Sequence, residues 1–132
     1  VDFSRSLSQS DNMKQAGEVL LNYLMQTLYS TKAVFYELNR GYYAPIVHKG
    51  VRFIKTYPRE AFKAIQKKEY LTIHNPRDLF YEELGKGPVR IVRIGNKYVA
   101  VLKHIFHPHI CDSLLSTAQI LADKIFKCLK KT

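Results

Sequence analysis

The stretch VRIVRIGNKYVAVLKHIF, from Val89 to Phe106, most limits what this chain can fold into. Two runs, VRIVRI and KYVAVLKHIF, meet across Gly95-Asn96, and that dipeptide is turn chemistry, so the runs read as an antiparallel hairpin. Neither run alternates cleanly between apolar and polar residues. Nearly continuous apolar character is expected of central strands covered on both faces. The remaining segments must therefore supply the covers.

Two long amphipathic helices do so. From Asp11, residues Met13, Ala16, Leu20, Leu24 and Leu28 recur at helical spacing, widened by Leu21 and Met25. Ser10 or Asp11 is the expected cap, Ser30-Thr31 the expected end, and residues 1–10 read as a linker or frayed helix start. At the other end, Leu114, Ala118, Leu121, Ile125 and Cys128 step by about 4, 3, 4, 3. This predicts a helix from Pro108 or Asp112 to Lys130, with a second row of Leu115, Ala122, Phe126 and Leu129. A stripe this wide serves two purposes, packing on a sheet and meeting another helix.

Between the helices the period shifts to two. AVFYELNRGYYAPIV reads as a hairpin turning at Asn39-Arg40-Gly41, and Pro45 marks its second strand as edge or bulged. VRFIKTY is a short third strand, and Pro58 opens a short helix, REAFKAIQKKE, with Phe62, Ile65 and Ala61 inward. YLTI, residues 70–73, is a fourth strand, followed by a loop with one helical turn around Leu79 to Leu84. The predicted class is α+β: a mostly antiparallel sheet of about five to six strands with helices at both ends.

The chain has 132 residues, which suits one domain, taken as residues 11–132. No apolar run approaches the roughly 20 residues of a membrane span. It opens on Val1 rather than Met, from which a fragment of a longer signalling protein is expected. Net charge is +10. Its lysines and arginines are spread along the chain, including Lys49, Arg52, Lys55, Arg90, Arg93, Lys97 and the tail Lys127, Lys130 and Lys131, which reads as a solvated surface. Cys111 and Cys128, both on the last helix, would stand roughly 25 Å apart along its axis. They form no disulfide framework, which fits a reducing cytoplasm.

Several pieces together resemble a GAF domain, a sensory fold related to PAS. GEVLLNYLMQTLYSTKAVFYEL is similar to that family's first helix running into its first strand. PREAFKAIQKKEYLTIHNPRDLF resembles its short helix, strand and Asp-containing loop. VRIVRIGNKYVAVLKHI resembles its Gly-turned hairpin, and DSLLSTAQILADKIFKCL its closing helix. The resemblance covers nearly the whole length by order and texture. It implies first and last helices on one face of the sheet, and a pocket under a short helix and loops on the other. It also implies a prokaryotic regulatory module that binds a small ligand or dimerises, and that passes a signal to an output domain on the same chain. The Asn-Lys-x-Phe-Asp-Glu signature of cyclic-GMP binders and the Cys-His pair of bilin attachment are absent, as is the cysteine set of the methionine sulfoxide reductases. The ligand and any cofactor are therefore unknown.

On this resemblance His74 and Arg77 fall in the pocket loop, where Arg77 would clamp a carboxylate or phosphate and His74 would hydrogen-bond a ligand. The competing reading is turn chemistry around Asn75-Pro76. Tyr43, Phe53, Phe62 and Tyr70, with Tyr42, Tyr57 and Phe80, are candidate aromatic lining, or plain core. Leu114, Leu121 and Ile125 are the candidate homodimer seam. The crowded KHIFHPHICDSLL holds His104, His107, His109 and Cys111, but its spacing matches no structural zinc pattern, so it reads as a strand-to-helix corner and no metal is expected. No G-x-S-x-G, H-E-x-x-H or compelling carboxylate pair suggests catalysis, and Glu82-Glu83 has no evident partner. The first alternative is a nucleic-acid or anionic-partner module using the basic surface, with salt-dependent affinity. The second is a ligand-free dimerisation scaffold.

Overall fold

The computed structural model describes residues 3–52, 54–62, 70–73, 80–85, 89–103 and 112–131. In chain order the elements are α1 (Phe3–Ser8), α2 (Met13–Leu28), β1 (Ala33–Asn39), β2 (Tyr42–Lys49), β3 (Tyr57–Pro58), a single 3-10 turn (Arg59–Phe62), β4 (Tyr70–Ile73), α3 (Tyr81–Leu84), β5 (Val89–Ile94), β6 (Tyr98–Lys103) and α4 (Asp112–Lys131). The strands form one antiparallel sheet in the order β3-β2-β1-β6-β5-β4. This is the α+β fold expected.

Helix α2 begins two residues later than its periodicity suggested. Its cap is Asn12, not Ser10 or Asp11. Asn12 has extended backbone, and its Oδ1 accepts from the Gln15 N–H at 2.9 Å. The Asp11 N–H donates back to Gln15 Oε1 at 2.8 Å, so one glutamine ties both sides of the start. The helix closes at Tyr29, one residue before Ser30-Thr31. Tyr29 is left-handed (φ 54°), and its N–H returns to the Met25 carbonyl. Residues 3–8, expected as linker or frayed start, form the separate helix α1, whose Leu7 is fully buried.

The sheet divides the core into two clusters. On one face α1, α2 and α4 cover the strands: Leu20, Leu21, Leu24 and Leu28 from α2, and Ala118, Ala122 and Phe126 from α4, meet Ala33, Phe35, Val92, Ile94, Ala100 and Leu102. Each fully buried leucine contributes roughly 1.5–3 kcal/mol. The other face holds Val34, Tyr36, Tyr43, Tyr57, Phe62, Phe80, Leu84, Val89, Ile91, Val99 and Val101. Strand alternation sorts these sets, so Phe35 and Tyr36 are chain neighbours on opposite faces. The Val89 hairpin is covered on both sides, as its continuous apolar character required.

The first hairpin turns through Arg40 (φ 53°) and Gly41 (φ 81°), the two left-handed residues of a tight two-residue turn. In β2 the register slips between Phe35, opposite Val47, and Tyr36, opposite Pro45, leaving Ile46 as the extra residue. This bulge accounts for Pro45 inside a strand. The third strand is shorter than VRFIKTY suggested: only Tyr57 and Pro58 pair, with Tyr43 and Tyr42.

Candidate functional site

The aromatic face is built by β1, β2, β3, the 3-10 turn and α3. Four rings, Tyr36, Tyr57, Phe62 and Phe80, all touch one another, with centroids 5.0 to 6.2 Å apart and planes inclined by 53 to 88°. Tilted and edge-on rings at these distances set positive edges against negative faces. Tyr43 adds a fifth ring, 4.5 Å from Phe62.

A polar group is sunk into this apolar cluster. Glu83, in α3, is only 4% exposed. Its Oε2 accepts from the Tyr57 hydroxyl at 2.6 Å, and that hydroxyl accepts from the Phe80 N–H at 3.1 Å. The relay Phe80 N–H to Tyr57 to Glu83 pins α3 onto the sheet. Phe80 sits at φ 64° and Gly85 at φ 80°, so left-handed residues bound α3 at both ends. A non-glycine residue in that conformation costs about 1–2 kcal/mol, which the Phe80 hydrogen bond and its ring contacts offset.

Two atoms stand out. Glu83 Oε1 and the Tyr36 hydroxyl are buried and make no well-aligned hydrogen bond, although the Tyr36 hydroxyl lies within hydrogen-bonding reach of the Glu83 carboxylate. Burial first, then the negative charge of Glu83, holds the Tyr36 phenol far above the ordinary tyrosine range. Buried polar atoms without a well-aligned partner are rare and call for an explanation.

The structure brings together some of the residues named from sequence. Tyr43 and Phe62 pack against each other on this face, joined by Tyr57 and Phe80. Tyr70 lies in β4, opposite Val92. Phe53, His74, Arg77, and His104, His107, His109 and Cys111 of the histidine corner lie outside the described residues. Among the described residues no group of three or more metal-binding side chains comes together. Leu114 lies in α4, while Leu121 and Ile125 are half-buried against the helix-side core. Glu83 is the residue that sequence reasoning missed. The sequence places it in a loop without an evident partner, whereas it is helical, buried and bonded to Tyr57. The available signal was its position between Phe80 and Leu84, both fully apolar, in one helical turn.

Elsewhere, residues 40–59 carry Arg40, Lys49, Arg52, Lys55 and Arg59 with no aspartate or glutamate. No helix among the described residues is long and apolar enough to cross a membrane.

No family model matches the sequence, and no curated protein is significantly similar to it. Solved structures are. The chain is similar to the GAF domain of an Acinetobacter phosphoenolpyruvate-protein phosphotransferase (12% identity, TM-score 0.75, 98% of this chain and 91% of that one). It is also similar to residues 122 to 287 of a methyl-accepting chemotaxis protein (8% identity, TM-score 0.74, 98% and 96%). A third is the GAF domain of the cyanobacteriochrome TePixJ (8% identity, TM-score 0.70, 96% of each).

Proposed function

The chain has the GAF fold, and from that premise we propose that it is a non-catalytic sensory or regulatory domain. It takes a small ligand on the aromatic face and passes the change through its terminal helices to an output domain, in the cytoplasm of a prokaryote. The observation that carries this reading is the buried Glu83–Tyr57 pair among packed aromatic rings. A stable core gains little from a half-satisfied carboxylate, whereas a binding site uses polar groups held ready.

The route of the signal is short. Tyr36 touches Tyr57, Phe62 and Phe80, while its chain neighbour Phe35 touches Tyr98 of β6 and Phe126 of α4. A ligand that repacks the first set shifts β1 and thereby the seat of α4. Its effect is bounded by its difference in affinity for the two packings. A homodimer along α4, through Leu114, Leu121 and Ile125, would carry the shift between copies.

Native mass spectrometry of the chain purified from its own host tests this. A retained small-molecule mass, lost on denaturation, is expected. A ligand-free dimer would favour a scaffold instead. The acid-free stretch 40–59 supports a second reading, an anionic partner, which requires binding that weakens steeply with salt.

A further inference from the structure

We propose that the uncharged outer flank of α2 is a docking face for a second copy of this chain; it lies on the helix side of the sheet and is independent of any ligand at the aromatic face. Residues 19–31 carry no charged side chain, although 24% of the chain is charged. Part of that run is surface: Asn22, Gln26 and Tyr29 are exposed, and Val19, Tyr23 and Met25 are half-buried. Interface centres have this composition, depleted of charge and enriched in tyrosine and methionine. Tyr29 adds a second observation. It closes α2 in the left-handed conformation, where glycine fits without steric cost, yet it sets a ring there that is 62% exposed. Aromatic anchors of this kind carry much of the binding energy of interfaces.

The flank is complementary to itself. Asn22 and Gln26, about one turn apart, form a ridge that borders two hollows. One, of about 210 Å³, lies against α1 and is lined further by Phe3, Ser6, Val19 and Tyr23. The other, of about 590 Å³, is lined further by Met25, Tyr29, Ser30, Thr31 and Lys49. A two-fold axis midway between Asn22 and Gln26 sets two α2 helices antiparallel, each offering the same patch to the other. Residue 22 of one copy then meets residue 26 of the other, and residue 29 meets residue 19. Each Tyr29 ring enters the hollow beside Phe3 and Val19 of the second copy, and each Asn22 amide pairs with a Gln26 amide across the axis, N–H to carbonyl. Charge points the same way. The chain carries +10, so two copies approach at least cost where their facing surfaces are uncharged, because like charges set together oppose association. The exposed flank of α4, by contrast, carries Lys124 and Lys127.

The test is sedimentation velocity of the 132-residue chain over a concentration series, beside N22K/Q26K, N22K/Q26E and Y29G. The parent is expected to dimerise, and more tightly as salt rises, because salt screens the repulsion between two basic copies. N22K/Q26K sets lysine opposite lysine across the axis and is expected to weaken the dimer at least about tenfold. N22K/Q26E sets each lysine opposite a glutamate and is expected to restore the dimer to within about threefold of the parent. Y29G removes the ring and keeps the left-handed cap, so it is expected to melt no lower than the parent while losing at least about tenfold in dimer affinity. A parent that stays monomeric at every concentration overturns the proposal. So does a dimer that N22K/Q26K leaves intact, and cross-linking of that dimer through Cys128 would put its seam on α4. A dimer that loosens as salt rises overturns it as well, since an uncharged seam holds no ion pairs to screen. An N22K/Q26E chain as weakly associated as N22K/Q26K overturns the antiparallel pairing and the proposal with it.

Discussion

At the scale of single residues, Tyr36, Tyr57 and Glu83 decide the character of the aromatic face. Removing the poorly aligned hydroxyl in Tyr36→Phe should raise stability by about 1 kcal/mol, since a buried polar atom without a well-aligned partner costs about that much. Tyr57→Phe should act in the opposite direction. It takes the donor from Glu83 and the acceptor from Phe80 N–H, and should cost about 1–3 kcal/mol. Urea unfolding of both variants checks the pair of signs. Two phenols also set a pH dependence. Tyr36 is held high first by burial and then by Glu83, and Tyr98 first by burial and then by its hydrogen bond to Glu37 at 3.0 Å. In the unfolded chain both titrate near about 10. Below that pH both states keep these protons, and stability does not vary through them. Above it the unfolded chain loses protons that the folded chain keeps, so stability falls as pH rises toward the folded values. Urea midpoints at about pH 9, 10 and 11 should decline, and less steeply in Tyr36→Phe.

At the scale of elements, close approach and left-handed turns matter most. Gly17 lets α2 sit against the sheet: a Cβ there would lie 2.8 Å from Phe35 Cδ2 and 3.2 Å from Val47 Cγ2. Gly17→Ala gains about 1 kcal/mol of helix propensity but overpacks by about 1–3 kcal/mol, so net destabilisation is expected. In the first hairpin, Gly41 has open space around it and φ 81°. Gly41→Ala should cost about 1 kcal/mol from backbone alone, whereas Arg40→Asn, which tolerates φ 53°, should stabilise slightly. Denaturant midpoints at unchanged slope would verify both. The Ile46 bulge has a larger consequence. Tyr43 and Val47 are both odd-numbered, yet Tyr43 faces the aromatic cluster and Val47 the helices. One extra residue reverses the alternation within a single strand. Pro45 signalled edge or bulge in the sequence, but which residue bulged depended on pairing with β1.

For the whole molecule, one sheet serves two unlike faces, a leucine-rich helical layer and an aromatic layer with a buried acid. The proposed dimer belongs to this scale. Cys128 is exposed and lies on the same stripe of α4 as Leu121 and Ile125, which are half-buried. If two copies meet along that stripe, a short bismaleimide should cross-link the Cys111→Ser chain into a dimer through Cys128. Cross-linking no greater than that of a monomeric control would count against the α4 seam. This assay is cleaner than Leu121→Glu, which would also disturb the core Leu121 partly joins.

Much of this was legible beforehand. The α+β class, the order of the strands, the two long helices and the doubly covered hairpin follow from periodicity and turn chemistry, properties of residues close in the chain, whereas the expected short helix REAFKAIQKKE shows only its first turn, Arg59–Phe62, within the described residues. What only the tertiary structure decided joins distant residues. Tyr57 and Glu83 are 26 positions apart and Tyr57 and Phe80 are 23 apart, and no local pattern says that they meet. Glu83 reads as a surface acid because burial is a property of what packs over a residue. The separation of Phe35 from Tyr36 is written in strand alternation, but the ring cluster on one side and α4 on the other exist only once the sheet has closed between them.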